Sequence, residues 1–421
     1  MRKRFLFILS CCLLALTART APAEDVLKWE EVVAKTLELQ PELRSAGLDI
    51  EEAQFSEDIA RSGLFPEISG TSTFNRAETG GKWANAYNHK IVTSWLLFDG
   101  LKTPYALKAA RKRVDEQQFA YEVTASDVLL DIRAAYIDVM EAQRFVTLTE
   151  EIRDRKRQNL QMIELRYEGG REHRGALLTA KAELAEAQFN VREAGRGLVL
   201  ARRRLFIAMG TEQMRNVFVE GEFELSEFHA QKPDLNSLLE TIPFLNELAA
   251  AREAAMLDKH SAKGRIWPAV SAVSSLGKSG DEFWGDDRGV SFGLSLSIPL
   301  FEGGENAATI KRSHVAFLQA GATEQTGRQQ VLLTLEDRWK GLQDAIETVE
   351  FRQEFLRASE ERAKIASVQY ENGLIGFDDW IIIENNLVTA QRNDLSARAG
   401  MLQAEAEWIH SLGGTIHEKI Y

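Results

Sequence analysis

The side chains best suited to metal or general-base chemistry are His89, His173, His229, His260, His314, His410 and His417, and they are scattered. None stands with carboxylates at the spacing a metal site uses. The only cysteines are Cys11 and Cys12, near the start. No glycine-rich phosphate loop joins a strand to a helix, and there is no nucleophile elbow. Carboxylate pairs such as Glu30-Glu31 and Glu51-Glu52 read as solvated helix faces. An enzyme reading therefore has neither nucleophile, base nor cofactor cradle to stand on, and no cofactor or metal is expected. The chemistry on offer is the partition of side chains between water and lipid.

That partition is sharpest between Val290 and Glu305. Val290, Phe292, Leu294, Leu296, Ile298 and Leu300 take every second position, with Ser291, Gly293, Ser295 and Ser297 between them. Alternation with period two marks a strand with one apolar face, and here the other face is small and uncharged. Pro299 cannot donate to a ladder, so pairing should weaken there. Gly303-Gly304 frees the backbone to turn, and a long helix follows. The same sequence of strand and swivel occurs twice.

The chain has 421 residues and 44% hydrophobic content, enough for a large core. Residues 1–23 read as a secretory signal peptide: a basic start, an apolar stretch from Phe5 to Leu16, and Ala21-Pro22-Ala23 as the cleavage signal. Both cysteines fall inside it. Its removal takes four of the 51 basic residues, leaving 47 Lys+Arg against 63 Asp+Glu, a net charge of −16. That balance argues against a nucleic-acid partner. No other segment approaches the ~20 apolar residues of a membrane helix, so entry into a membrane must be as strands.

The two halves match at a nearly constant offset. Leu64-Phe65-Pro66 answers Ile266-Trp267-Pro268 after 202 positions, while Phe98-Asp99-Gly100 answers Phe301-Glu302-Gly303 after 203. Tyr167-Glu168 and Tyr370-Glu371 share the 203 offset, as do Ala208-Met209-Gly210 and Ser411-Leu412-Gly413. The period is too long for a solenoid, so it reads as an internal duplication. Residues 24–210 form the first repeat, 211–240 a connecting segment, and 241–421 the second repeat.

Each repeat is expected to run helix, two strands, long helix, helix. In the first, these are Pro41 to Gly63, Ile68 to Asn75, Lys90 to Phe98, 103–166 and 175–209. In the second they are 243–264, 269–276, 289–300, 305–369 and 377–412. Tyr121, Ala125, Val128, Ile132, Ala135, Val139, Ala142 and Val146 alternate in steps of four and three, which is coiled-coil spacing. At helical rise the 64 residues of 103–166 span ~96 Å, several times an ordinary domain. The two shorter helices of a repeat, placed end to end, come to ~86 Å and match one long helix. Four strands cannot close a barrel in lipid, and an open edge there leaves backbone groups unsatisfied. Other copies of the chain must complete them. Trp83, Tyr87, Trp95, Phe98, Phe283, Trp284 and Phe301 sit near strand ends, where interfacial aromatics belong.

With these features in place, the sequence resembles the TolC-like outer-membrane efflux proteins. Ile298-Pro299-Leu300-Phe301-Glu302-Gly303-Gly304 resembles the family's strand-to-helix linker, and Leu97-Phe98-Asp99-Gly100 its first copy. Tyr370-Glu371-Asn372-Gly373-Leu374-Ile375, running on to Asp379, resembles the second periplasmic hairpin turn, and Tyr167-Glu168-Gly169-Gly170 the first. The resemblance spans 24–421. It implies a mainly α fold with a small β part, a homotrimer whose four strands per chain complete a twelve-strand barrel in outer-membrane lipid, and a long helical tunnel in the periplasm. It further implies a passive duct that docks through a periplasmic adaptor (membrane fusion) protein onto an inner-membrane RND, ABC or MFS pump. In the family, aspartates near the second hairpin close the tunnel tip. Asp379 falls on the matching position, Ile382 occupies the second ring position, and Asp378 is the neighbour that would compensate. Arg171-Glu172-His173-Arg174 puts charges where the family's first hairpin is apolar.

Three alternatives stand beside this. Asp378-Asp379 also suits a solvated helix start, where acids are favoured. A coiled-coil scaffold without channel activity would use the long helices, but has no use for six alternating apolar residues free of charge. Within the family, a duct for secreted proteins is equally compatible.

Overall fold

In a computed structural model, residues 25–225 and 232–414 are described. The expected signal peptide lies outside them.

The chain begins with β1 (Asp25–Leu27), α1 (Trp29–Leu39) and α2 (Pro41–Ser62). Pro41 sits at the first helical position of α2, where its missing N–H costs nothing. Next come β2 (Glu67–Thr79) and β3 (Lys82–Phe98), then α3 (Lys102–Glu168) and α4 (Arg174–Ala208). A connecting stretch holds β4 (Val217–Val219) and α5 (Leu235–Leu238). The second half then repeats the pattern as α6 (Pro243–Gly264), β5 (Ala269–Gly280), β6 (Asp287–Ser297), α7 (Glu305–Glu371) and α8 (Phe377–Ser411). The corresponding helices have equal lengths: 22 residues in α2 and α6, 67 in α3 and α7, 35 in α4 and α8.

The short helices stack end to end, as the lengths require. The C-terminus of α4 abuts the start of α2: Gly210, at φ +78°, leaves no room for a Cβ beside Gln40, and Gln40 Nε2 donates to Ala208 O at 3.0 Å. Gly413, at φ +75°, meets Pro243 in the same way, so α8 abuts α6. Each half thus builds one column from a single helix of about 100 Å and one from two helices totalling about 86 Å. The central strut is α3, packed on α2 and α6 toward the sheet and on α4 and α8 beyond it. Of its expected seam, Ala125, Val128, Ile132, Ala135 and Val139 are buried, and Tyr121, Ala142 and Val146 half-buried.

Far from the sheet, Lys156 on α3 is buried. Its Nζ donates to Glu183 on α4 at 3.0 Å and to Asn385 on α8 at 2.7 Å. One buried cation therefore ties three helices, its charge satisfied by a carboxylate and an amide oxygen.

The connecting stretch girdles the middle. Here β4 pairs in parallel with β1. Tyr136 on α3 donates to Leu27 O and Glu220 O, closing the small sheet onto the strut. Trp29, Val32, Leu205 and Val217 complete that core. The connecting segment 211–240 thus holds one short strand and one short helix, with 226–231 outside the described residues. The helix α1 was not among the expected elements of the repeat, although Glu30-Glu31 reads as one of its solvated faces.

The four longer strands form one antiparallel sheet in the order β2-β3-β5-β6. Both hairpins run past the expected strand ends, β5 to Gly280 and β6 from Asp287, and two differences have a physical reason. First, β2 and β3 run on to a tight turn at Gly80-Gly81, so the stretch 76–89 between the two expected strands is largely strand. Arg76, Asn85 and Asn88 hid it, because the strands there have left the zone where lipid enforces alternation. Second, β6 ends its pairing at Ser297, although the alternation continues to Leu300. Its neighbour β5 begins only at Ala269, after Pro268, and Pro299 has no N–H to offer.

Candidate functional site: membrane sheet, linkers and hairpin tips

Register divides the sheet's side chains between two faces. Ile68, Phe74, Ile91, Trp95, Leu276, Val290, Phe292, Leu294 and Leu296 share one face, since Phe74 pairs with Tyr87, Ile91 with Leu276, Leu276 with Val290, and Ala272 with both Trp95 and Leu294. This face is bare: Phe292 is 80% and Leu294 70% exposed. The opposite face holds Ser69, Thr71, Thr73, Asn88, Val92, Ser94, Ser275, Ser291, Gly293 and Ser295, with Ser275 and Ser291 hydrogen-bonded at 2.7 Å. An apolar face of that size exposed to water would be untenable, and only lipid accepts it. Among the described residues no helix is long and apolar enough to cross a membrane.

The linkers turn strand into helix. In the first, Phe98 ends β3, and Asp99 Oδ2 accepts from Thr103 N at 2.8 Å and from Thr103 Oγ1 at 2.6 Å. Gly100 and Leu101 both take left-handed φ. A Cβ on Gly100 would stand 2.5 Å from Trp267 Cβ and 2.7 Å from Gly264 O, so the swivel of one half is locked against the other. In the second, Pro299 and Phe301 lie outside the ladder, Phe301 is exposed, and Gly303 and Gly304 at φ +59° and +89° have open space around them. Both expected linkers are therefore swivels, but only the first is packed. These bonds to Asp99, two residues before the N-cap position Leu101, were not foreseen in the sequence.

The hairpin tips lie at the far end. In the first, Gly169 caps α3, Gly170 takes φ +67°, and Arg171 N donates to Arg166 O at 2.8 Å. In the second, Gly373 takes φ +77° and Leu374 N donates to Gln369 O at 2.8 Å. Both are six-to-one C-cap turns that need glycine at the left-handed position. Tyr167 is exposed. Tyr370, by contrast, is only 1% exposed. Its ring stacks on Trp380 at 4.5 Å, and Arg166 lies 4.6 Å over it. Its hydroxyl donates to Glu172 Oε2 at 2.6 Å, and Arg166 donates to the carbonyls of Tyr370 and Glu371. Burial, then the bond to Glu172, push the phenol well above its ordinary range. The two hairpins are thus clasped by Arg166 and Glu172 of the first reaching Tyr370 of the second, which Trp380 of its own hairpin backs. Of Arg166, Glu172 and Trp380, only Glu172 was named from sequence, as one of the charges at the first tip. Trp380 carries a signal in its spacing across the turn from Tyr370; Glu172 carries none. Ile375 is half-buried against the same cluster, and Leu374 projects at 74% exposure.

Asp378 and Asp379 stand in the first turn of α8, exposed, between buried Phe377 and Trp380. Ile382, a turn further, is exposed too. Among the described residues neither aspartate has a cationic partner within 4 Å, and no group of His, Cys, Asp and Glu could hold a metal ion.

A sheet with one lipid-grade face, carried on paired helical columns that end in clasped hairpins, defines the subunit of an outer-membrane channel. Comparison with known proteins agrees. The model of the outer membrane efflux protein family matches twice, over residues 32–211 and 235–414, and the chain belongs to that family. It is 21% identical over 370 residues to the outer membrane efflux protein BepC of Brucella suis biovar 1, covering 85% of this chain and 80% of that one. It is 22% identical over 408 residues to the outer membrane protein TolC of Escherichia coli K12, covering 90% and 80%. Among solved structures, a CusC chain superposes with a TM-score of 0.83 at 16% identity, covering 91% of this chain and 92% of that one. The fold is thus mainly helical with a small β part, and the protein is an outer-membrane efflux channel.

Proposed function

We propose that three copies of the chain close a twelve-strand barrel above a tunnel of twelve helical columns, giving a passive exit duct across the periplasm. One observation carries this reading: the lipid-facing sheet ends in two open edges, β2 and β6. Backbone groups on those edges find no partner in lipid, and copies joining β6 to β2 around a ring satisfy every one. Repeats at 24–210 and 241–421, joined by 211–240, supply the quasi-equivalent columns.

The hairpin tips dock a periplasmic adaptor protein, and through it an inner-membrane pump of the RND, ABC or MFS type. Tyr167, Gly169 and Gly170 shape the first tip, and Gly373, Leu374 and Ile375 the second. Tyr370 holds the two together, while exposed Leu374 presents the apolar contact. Phe98, Asp99, Gly100, Pro299, Phe301, Gly303 and Gly304 act as the swivels. Asp379, with Asp378 beside it, lines the closed mouth of the tunnel, where three copies converge and favour cations over anions.

Recording single channels in planar bilayers tests the mouth. Asp379→Ala should raise conductance or weaken cation preference, with Asp378→Ala having the smaller effect. An unchanged conductance and selectivity in the Asp379→Ala channel would remove the aspartate from the mouth.

A further inference from the structure

On β5 and β6 the apolar band of the outward face ends abruptly at the extracellular side, while on β2 and β3 the aromatic pair Phe74 and Tyr87 lies one rung further on. On β6 the outward series Leu296, Leu294, Phe292, Val290 is followed by Arg288, and on β5 the series Val270, Ala272, Ser274, Leu276 is followed by Lys278. These two cations are directly opposite each other in the ladder, and Lys278 is opposite His89 on β3. Like charges in facing positions repel and cost stability. Among the described residues neither Lys278 nor Arg288 has a carboxylate within 4 Å, and both are exposed. Asp287 is on the channel face, and Asp281, Glu282 and Asp286 lie in the adjoining turn without reaching them.

A second observation fixes the level of this pair. The turn between β5 and β6 does not stand up into solvent but folds back over the outward face. Gly285 lies against Ser279 O, where no Cβ would fit. Phe283 O meets His89 Nε2, whose Nδ1 meets Ser72 Oγ at 2.9 Å. The Phe283 and Trp284 rings lie 5.0 and 5.3 Å from the His89 ring, yet Phe283 is 57% and Trp284 68% exposed. Large aromatics held outward just beyond an apolar band belong at the boundary between acyl chains and headgroups. From Val290 to Leu296 the band runs about 20 Å along the strand, which places Arg288 and Lys278 at that boundary.

We propose that Lys278 and Arg288 form a clamp for the phosphate groups of anionic glycolipid in the outer leaflet, one clamp per protomer, with Trp284 lying on the lipid beside it. A phosphate between the two cations accepts charge-assisted hydrogen bonds from both and replaces their repulsion with attraction. Membrane lipid is the occupant because the cations sit on the face already committed to lipid, and the turn adds aromatics exposed on that same face. The inference rests on the barrel reading of the sheet.

The test uses the full chain, purified as the assembled particle in mild detergent. It is titrated with bis-phosphorylated lipid A and with the same lipid stripped of its phosphates, and bound lipid is counted by native mass spectrometry. The phosphorylated form should bind and the stripped form should not. K278A/R288A should bind about 30-fold more weakly, the loss expected for two headgroup-level cations. K278R/R288K, which keeps the charge, should bind as the parent does, and so should Lys90→Ala, altered on the channel face of β3. Equal binding of the two lipid forms overturns the proposal, as does an equal loss in Lys90→Ala and K278A/R288A. The mass of the same particle separates the two failures. A particle that is not three copies sinks the barrel reading, whereas a trimer indifferent to phosphate sinks the clamp alone.

Discussion

Gly100→Ala is the substitution in which the coupling between the two halves is most directly measurable. Gly100 holds φ +70°, and its missing Cβ would fall 2.5 Å from Trp267 Cβ and 2.7 Å from Gly264 O. Alanine in the left-handed region costs about 1 kcal/mol. The overlap adds about 1–3 kcal/mol, because two of the colliding atoms are a Cβ and a backbone oxygen that cannot swing aside. The sum is about 2–4 kcal/mol. Gly304 supplies an internal control. It has φ +89° and nothing within 4 Å of its would-be Cβ, so Gly304→Ala should cost only the conformational part, about 1 kcal/mol. Guanidinium unfolding of the solubilised particle, followed by far-ultraviolet circular dichroism, gives the two midpoints. The first linker should lose clearly more than the second. Coincident midpoints would mean that the swivels do not interlock.

Lys156→Ala leaves half-buried Glu183 without its ion pair, holding only the bond from Asn385 Nδ2, and should destabilise by about 1–3 kcal/mol in the same unfolding measurement, whereas Lys156→Met combined with Glu183→Leu should recover much of it. Burial pushes the Tyr136 phenol up to about 12, from an ordinary 10. Below pH 10 the phenol is neutral in both states and its stabilisation is complete; between pH 10 and about 12 the unfolded chain ionises first, so about 2 kcal/mol is lost as pH rises, and Tyr136→Phe should flatten that alkaline fall. On the lipid face, Leu294→Lys should cost about 2–4 kcal/mol and lower the yield of assembled protein in outer-membrane fractions, while the neighbouring Ser295→Lys, on the channel face, should assemble normally.

The helices were legible because their signals are local and redundant. Pro41 and Pro243 mark starts, the four-and-three seam marks the packed face of α3, and glycines at 170, 373 and 413 mark ends. The two-column stacking followed from lengths alone. The strand ends were less legible, because period two is a signal imposed by lipid and fades where the strands rise above it: Arg76 and Asn88 belong to paired strand yet look like loop. The girdle of α1, β1 and β4 was illegible, since three-residue strands bring together Asp25 and Val217, far apart in sequence. At the tip, turn glycines announced both hairpins, but the clasp between them did not show. Glu172 meets Tyr370 across 198 positions, and one carboxylate among four charged neighbours has no pattern to betray it.

The two halves are closest to identical where they do the same work and diverge where the duct meets something else. Helix lengths agree residue for residue, because columns of unequal length could not share a tunnel wall. The divergences lie at the ends. Outside the membrane, the first hairpin closes in a Gly80-Gly81 turn, while the second folds Phe283 and Trp284 back onto lipid above Lys278 and Arg288. At the periplasmic tips, the first hairpin offers Arg171, Glu172 and Arg174, the second Leu374 and Asp379. In a ring of three chains each divergence makes alternate tips unlike, so a partner at the mouth meets basic and apolar contacts in turn. The proposed docking at the tips assigns recognition of this channel's own partners to those departures from the repeat. Exchanging residues 171–174 for 374–377 would make the tips alike while leaving both C-cap turns intact, and a channel that still coupled to its adaptor after that exchange would deny the tips any share in recognition.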